Sequence, residues 1–251
     1  MKKLVHALVL TGLVGMPAFV MAADEPDSPF SGNITLTSDY LFRGVSQTTN
    51  KPAIQGGFDY AHASGFYVGT WASNVDWVTT KDNTSMEIDL YAGYAGSLPA
   101  GFGYDVGAIT YYYPGNKIAG EPTPDTTEVY VSGSWEFLTL KYSHTVSKYF
   151  VAWAGENGEK TRGSGYLELN AEYDLGGGWG VSGHVGRQKV KNYSPASYTD
   201  WNVGVNKDIG FGTVALTYSD TNAKDSEYTW GANGDKKVAD GRVFVSFSKE
   251  F

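Results

Sequence analysis

A side-chain period of two, returning a dozen times down the chain and broken each time by Gly, Pro, Asn or Asp, commits this sequence to β-sheet. The stretches run over about 32–42, 53–62, 65–75, 85–96, 102–113, 126–135, 137–147, 164–173, 178–189, 199–208, 212–219 and 241–251. Met86, Ile88, Leu90, Ala92 and Tyr94 share one face of a stretch whose other face carries Glu87, Asp89, Tyr91 and Gly93. Leu167, Leu169, Ala171 and Tyr173 oppose Tyr166, Glu168, Asn170 and Glu172 in the same manner, as Val243, Val245, Phe247 and Phe251 oppose Arg242, Phe244, Ser246 and Glu250. Apolar residues on one face and charge on the other describe a sheet between two solvents.

The connections alternate in length. Short ones fall at 62–65, 97–101, 136–137, 174–178 and 207–212, and long ones near 43–52, 76–84, 114–125, 147–163, 190–198 and 220–240. An even number of strands with tight turns at one end and long loops at the other predicts an antiparallel up-and-down barrel of about 12 strands, with both termini at the tight-turn end. About eight strands can fill a barrel with side chains, whereas twelve leave a lumen that needs water, loops or a plug. The charged faces suit that lumen, so the apolar faces are expected to meet lipid. Closure follows, because an open edge in hydrocarbon would strand backbone N–H and C=O groups.

The N-terminus supports export. Lys2 and Lys3 precede an apolar run from Leu4 to Val20, and Val20-Met21-Ala22 offers small residues for cleavage, so 1–22 is read as a signal peptide and 23–251 as one barrel domain. No later segment offers the twenty or so apolar residues of a membrane helix, and there is no Cys for a disulfide scaffold. Loss of Lys2 and Lys3 from the 19 basic residues leaves 17 against 27 acidic ones, a balance of −10 that argues against a nucleic-acid partner. The expected location is the outer membrane of a Gram-negative-type bacterium, both termini periplasmic. The expected partners are outer-membrane lipid and the barrel-assembly machinery, the latter met by the final strand ending in Phe251.

Parity and position nominate residues. Arg43, Asp59, Glu87, Asp89, Asp105, Glu128, Lys141, Glu168 and Glu172 are candidates to line the lumen, with acids in the majority. Trp71, Tyr94, Tyr104, Trp135, Tyr142, Tyr173, Trp179 and Trp201 fall mostly toward strand ends and are candidates for aromatic girdles at the headgroups. Arg43, read as the end of the first strand, either lines a constriction, binds an anionic solute or pairs with a neighbouring carboxylate. The loop aromatics Tyr149, Phe150, Trp153, Tyr193, Tyr198, Tyr228 and Trp230 either fold inward or bind a solute.

The stretches Leu36-Thr37-Ser38-Asp39-Tyr40-Leu41-Phe42-Arg43-Gly44-Val45-Ser46-Gln47-Thr48, Pro52-Ala53-Ile54-Gln55-Gly56-Gly57 and 65–75 resemble the TorF-type porin family of proteobacteria. Glu87-Ile88-Asp89-Leu90-Tyr91-Ala92-Gly93-Tyr94 and Tyr111-Tyr112-Tyr113-Pro114-Gly115 extend the resemblance over the whole exported chain. It implies an outer-membrane porin without a transferable substrate. On that expectation small hydrophilic solutes or ions diffuse through passively, and an acidic lumen mildly prefers cations. The alternatives are an outer-membrane phospholipase or acyltransferase and a surface adhesion or recognition barrel with a closed lumen.

Against the enzyme stands the histidine inventory: after cleavage only His62, His144 and His184 remain. His62 falls in a turn, and Ser143 and His144 point to opposite faces. His184 shares a face with Ser182, but nothing marks that serine as activated. No metal site is expected without Cys or a spaced His pair, and the loop Asp220-Thr221-Asn222-Ala223-Lys224-Asp225-Ser226-Glu227 departs from the EF-hand pattern. No cofactor is expected.

Overall fold

The computed structural model describes residues 28–78, 83–115, 121–230 and 234–251; the signal peptide read over 1–22 lies outside them. Twelve strands close into one barrel. They are β1 (Phe30–Thr37), β2 (Ala53–Ala61), β3 (Phe66–Val78), β4 (Asn83–Leu98), β5 (Phe102–Tyr112), β6 (Thr126–Trp135), β7 (Leu138–Thr145), β8 (Gly165–Gly176), β9 (Trp179–Lys189), β10 (Tyr198–Asp208), β11 (Thr213–Thr221) and β12 (Arg242–Glu250). Each pairs antiparallel with its neighbours in sequence, and β1 closes the ring on β12, with Leu36 opposite Phe247. Reciprocal backbone bonds from Gly32 N to Phe251 O (2.7 Å) and from Phe251 N to Gly32 O (3.0 Å) extend that seam.

Burial follows the period of two. Along β8, Tyr166 and Glu168 are buried while Leu167 and Leu169 are exposed; along β11, Ala215, Thr217 and Ser219 are buried while Leu216 and Tyr218 are exposed. The outside is thus an apolar wall that includes Ile54, Phe58, Val68, Leu90, Val131, Leu140, Val203 and Val245, and the inside is polar and aromatic. Cross-strand tyrosines lie over glycines: Tyr67 faces Gly93, Tyr91 faces Gly69 and Tyr130 faces Gly107, in each case so closely that a Cβ on the glycine would strike the ring. At the tight-turn end Gly65 holds φ +98°, a conformation that L side chains rarely adopt.

Tyr94, Tyr104, Trp135, Tyr173 and Trp179 face outward toward the tight-turn end, and Tyr142 and Trp201 toward the loop end. Trp71 is corrected. It shares the inner face of β3 with Tyr67 and Gly69, is 8% exposed and meets Tyr40 edge-on at 5.4 Å. The register explains it: Gly69 stands opposite Asp59, and residues on the same parity as an inward acid also point inward.

Two further readings change. The link expected over 76–84 shrinks, because β3 continues to Val78 past an irregularity between Asn74 and Trp77 and β4 begins at Asn83. The first strand ends at Thr37 rather than near 42, and the residues after it leave the wall and turn into the barrel.

Candidate functional site: the lumen and the loop that crosses it

The segment joining β1 to β2 folds inward, burying Asp39 to Leu41 and Arg43 to Thr49. Within it Leu41–Phe42 pairs with Val45–Ser46 as a miniature hairpin whose two-residue tip is Arg43-Gly44. Both tip residues hold positive φ, 51° and 79°, as the tight turns that match strand twist require. Gly44 has no alternative: a Cβ there would come within 2.6 Å of Thr221 Cγ2 and 2.8 Å of Asp200 Cβ.

Asp39 organises the base of this loop. Its Oδ1 accepts from Ser46 Oγ (2.6 Å) and Thr48 Oγ1 (3.0 Å), and its Oδ2 pairs with Arg242 on β12 at 3.0 Å. Gln47 N donates to Tyr40 O (2.7 Å), Ser46 N to Val238 O in the last loop (2.8 Å), and Trp77 Nε1 to Gln47 Oε1 (3.0 Å). The loop is therefore tied to the walls on both sides of its own strands.

Its tip reaches the far wall. Arg43 Nη2 lies 2.6 Å from Glu128 Oε2 on β6, and Nη1 donates to Gln188 Oε1 on β9 at 2.7 Å and to Glu128 Oε1 at 3.3 Å. The guanidinium sits 4.2 Å from the ring centre of Tyr166 on β8 and 4.7 Å from that of Phe42. Thr145 Oγ1 donates to the same carboxylate at 3.2 Å. Arg43 is 4% and Glu128 0% exposed, so this is a buried, two-point charge pair across the lumen rather than a strand-end pair with a near neighbour. Such pairs fix geometry more surely than they add stability.

On either side of the bridge lie two acid-rich groups. Glu87 and Asp89 on β4 are buried beside Tyr40, whose hydroxyl donates to Glu87 Oε1 at 3.1 Å; neither Asp89 carboxylate oxygen has a hydrogen-bond partner among the described residues. Opposite, His184 Nε2 is 2.9 Å from both the Tyr166 hydroxyl and Asp200 Oδ2, its Nδ1 is 2.7 Å from Asn170 Oδ1, and Glu168 Oε2 is 3.8 Å away. The hydroxyl brought to His184 is thus that of Tyr166, not Ser182. His144 faces outward, its Nδ1 3.3 Å from the Tyr142 hydroxyl, and His62 bonds Ser64 in the first tight turn.

Toward the tight-turn end the lumen face carries Asp59, bonded by Tyr91 (2.5 Å), and Asp105, bonded by Tyr67 (2.7 Å). Lys141 stands 4.7 Å over the Tyr130 ring, and Glu172 shares the inward parity of Glu168. All nine lumen candidates thus lie on the inner wall or, for Arg43, inside it. Sequence reasoning missed Asp39, Tyr40, Gln47, Gln188 and Asp200. The tip itself carried a signal, an X-Gly pair set between residues that pair across a two-residue turn. Above the tip, the other loops close in: Phe150, Val190, Ala196, Tyr198, Tyr228, Val238 and Ala239 form one buried cluster with Val45. Among the described residues no group of three or more His, Asp or Glu could hold a metal ion.

A closed twelve-stranded antiparallel barrel, apolar outside and polar inside, with a loop folded into its lumen, has the porin-type barrel fold. The chain belongs to the Gcw_chp family, described as a bacterial protein of unknown function, which matches residues 23–251. No curated protein matches it. Among solved structures it is similar to a KdgM porin at 9% identity, with a TM-score of 0.56, covering 88% of this chain and 99% of that one. A NanC porin gives 12% identity, a TM-score of 0.56 and coverages of 88% and 98%. A KdgM porin in complex with disordered oligogalacturonate gives 10%, 0.54, 88% and 98%. At these identities the likeness is one of fold.

Proposed function

We propose that this protein is an outer-membrane channel of the TorF type, through which small hydrophilic solutes or ions diffuse passively, with a preference for cations. The observation that carries the reading is the inversion of the barrel: its exposed wall is apolar, while its buried face holds acids and hydroxyls. Only lipid outside and water inside make that arrangement favourable. Both barrel ends of the chain lie at the tight-turn end, which supports a periplasmic position for them and, with it, recognition of the strand ending in Phe251 by the assembly machinery.

Selectivity follows from which charges are already neutralised. Glu128 compensates Arg43, and Asp39 compensates Arg242. On the rest of the lumen face Asp59, Glu87, Asp89, Asp105, Glu168 and Glu172 outnumber Lys141 and so set its sign. In planar bilayers under a potassium chloride gradient the reversal potential is expected to show cation preference; anion preference would reject it. A second reading, a closed recognition barrel, is favoured by one observation, the bridge from Arg43 to Glu128 across the lumen. Purified protein that inserts and passes no current would establish that reading in place of the first.

A further inference from the structure

We propose that the outer rim of β7 to β10 is a binding site for the phosphate groups of an anionic glycolipid of the outer leaflet. The proposal rests on the outer-membrane reading and adds a specific lipid contact to it.

Six exposed cations gather there: Lys148, Lys160, Arg162, Arg187, Lys189 and Lys191. Backbone contacts fix their proximity. Arg162 N donates to Lys148 O at 3.1 Å, Asn192 Nδ2 to Lys160 O at 3.0 Å, and Lys191 N to Ser164 Oγ at 3.0 Å. Arg187 and Lys189 belong to the wall itself, on the same outward parity of β9 as Val181 and Val185, while His184, Gly186 and Gln188 between them are buried.

Register gives their height. Leu169, Val185 and Trp201 form one row across β8, β9 and β10; the row nearer the loops is Tyr142, Leu167, Arg187 and Thr199; the next holds His144, Gly165 and Lys189. The charges thus begin where the apolar wall and its aromatic edge of Tyr142 and Trp201 end, the level at which lipid headgroups lie.

None of the six takes part in an ion pair among the described residues; elsewhere at the loop end Lys51, Lys236, Lys237 and Arg242 are paired with Asp76, Asp235, Asp225 and Asp39, and Lys224 stands unpaired but apart from the six. Arg187 donates to Thr199 Oγ1 (3.1 Å) and Lys148 lies 4.7 Å over the Tyr149 ring. Of the two acids on the same loop, Glu159 is held by Asn157 N and Nδ2 at 3.0 and 3.1 Å, and Glu156 pairs with none of them. In a chain with ten more acids than bases after export, six cations without an ion pair on one stretch of the rim call for an external anion. Two guanidinium groups suit phosphate oxygens in particular. Because Arg187 and Lys189 stand on the outward parity of β9 and not on its lumen face, the anion is a headgroup rather than a permeating solute.

The test uses the refolded full-length exported chain in detergent, titrated with bisphosphorylated lipid A, lipid A lacking its phosphates, and inorganic phosphate. The variant Arg162→Gln/Arg187→Gln/Lys189→Gln is compared with a control of equal charge change, Lys51→Gln/Lys236→Gln/Lys237→Gln. Wild type and control are expected to bind the bisphosphorylated lipid at least tenfold more tightly than the patch variant, with little affinity for the dephosphorylated form. Equal binding by all three proteins, equal loss in both variants, or equal affinity for the two lipids overturns the proposal. Binding of inorganic phosphate as tight as that of the lipid also overturns it, since the site is then a free-anion site. Insertion into neutral phosphatidylcholine vesicles, read by heat-modifiable mobility, is scored separately; its failure in wild type strikes the membrane reading rather than the rim.

Discussion

At the scale of single residues the molecule turns on Arg43. Its charge is made tolerable inside the barrel by Glu128 and Gln188, so removing either partner leaves a buried group unanswered. Arg43→Met is expected to destabilise the folded barrel by about 3–5 kcal/mol, the range for a broken buried pair. Adding Glu128→Gln should recover much of that loss, as the orphaned carboxylate disappears; urea titrations followed by heat-modifiable mobility measure both. A smaller change makes a sharper probe of the turn. Gly44→Ala forces a methyl against Thr221 and Asp200 at a positive φ and should cost about 1–3 kcal/mol by the same measurement.

At the scale of elements, the ladder and the inward loop are separable, because no strand pair of the ladder includes residues 40–47; their one backbone bond to a barrel strand runs, among the described residues, from Asp76 N to Gln47 O (2.8 Å). Replacing 40–47 by Gly-Ser-Gly is expected to leave a heat-modifiable barrel, less stable because Glu128 and Gln188 lose Arg43, and to raise single-channel conductance several-fold; unchanged conductance would show that the loop does not set the constriction. The strands were legible in the sequence because a half-buried wall writes itself as alternation, and the tight turns because Gly, Asn and Asp punctuate them. The loop was not, since Asp39 to Phe42 continues the alternation of β1 while its partners lie on remote strands. Trp71 was misread for a related reason: both faces of β3 carry aromatics, and only the pairing of Gly69 with Asp59 decides between them. The tyrosine-over-glycine pairs were present in composition, 18 Tyr and 32 Gly, but pairing them requires a register.

At the scale of the whole molecule the two faces should answer mutation differently. Leu169→Arg, in the middle of the apolar wall between Leu140 and Val185, is expected to cost about 2–4 kcal/mol in vesicle-folding titrations. Ser132→Arg, on the lumen face opposite Lys141, should fold normally and move the reversal potential toward anions. The bridge inside the barrel also has a consequence for assembly. Arg43 meets Glu128 and Gln188 across separations of 85 and 145 residues, and Gly44 packs against β10 and β11. Contacts so distant along the polypeptide form slowly. The mouth is therefore expected to narrow last, after its surrounding staves are in place; folding followed in vesicles by dye release would then show a transient leak that fades as the barrel matures.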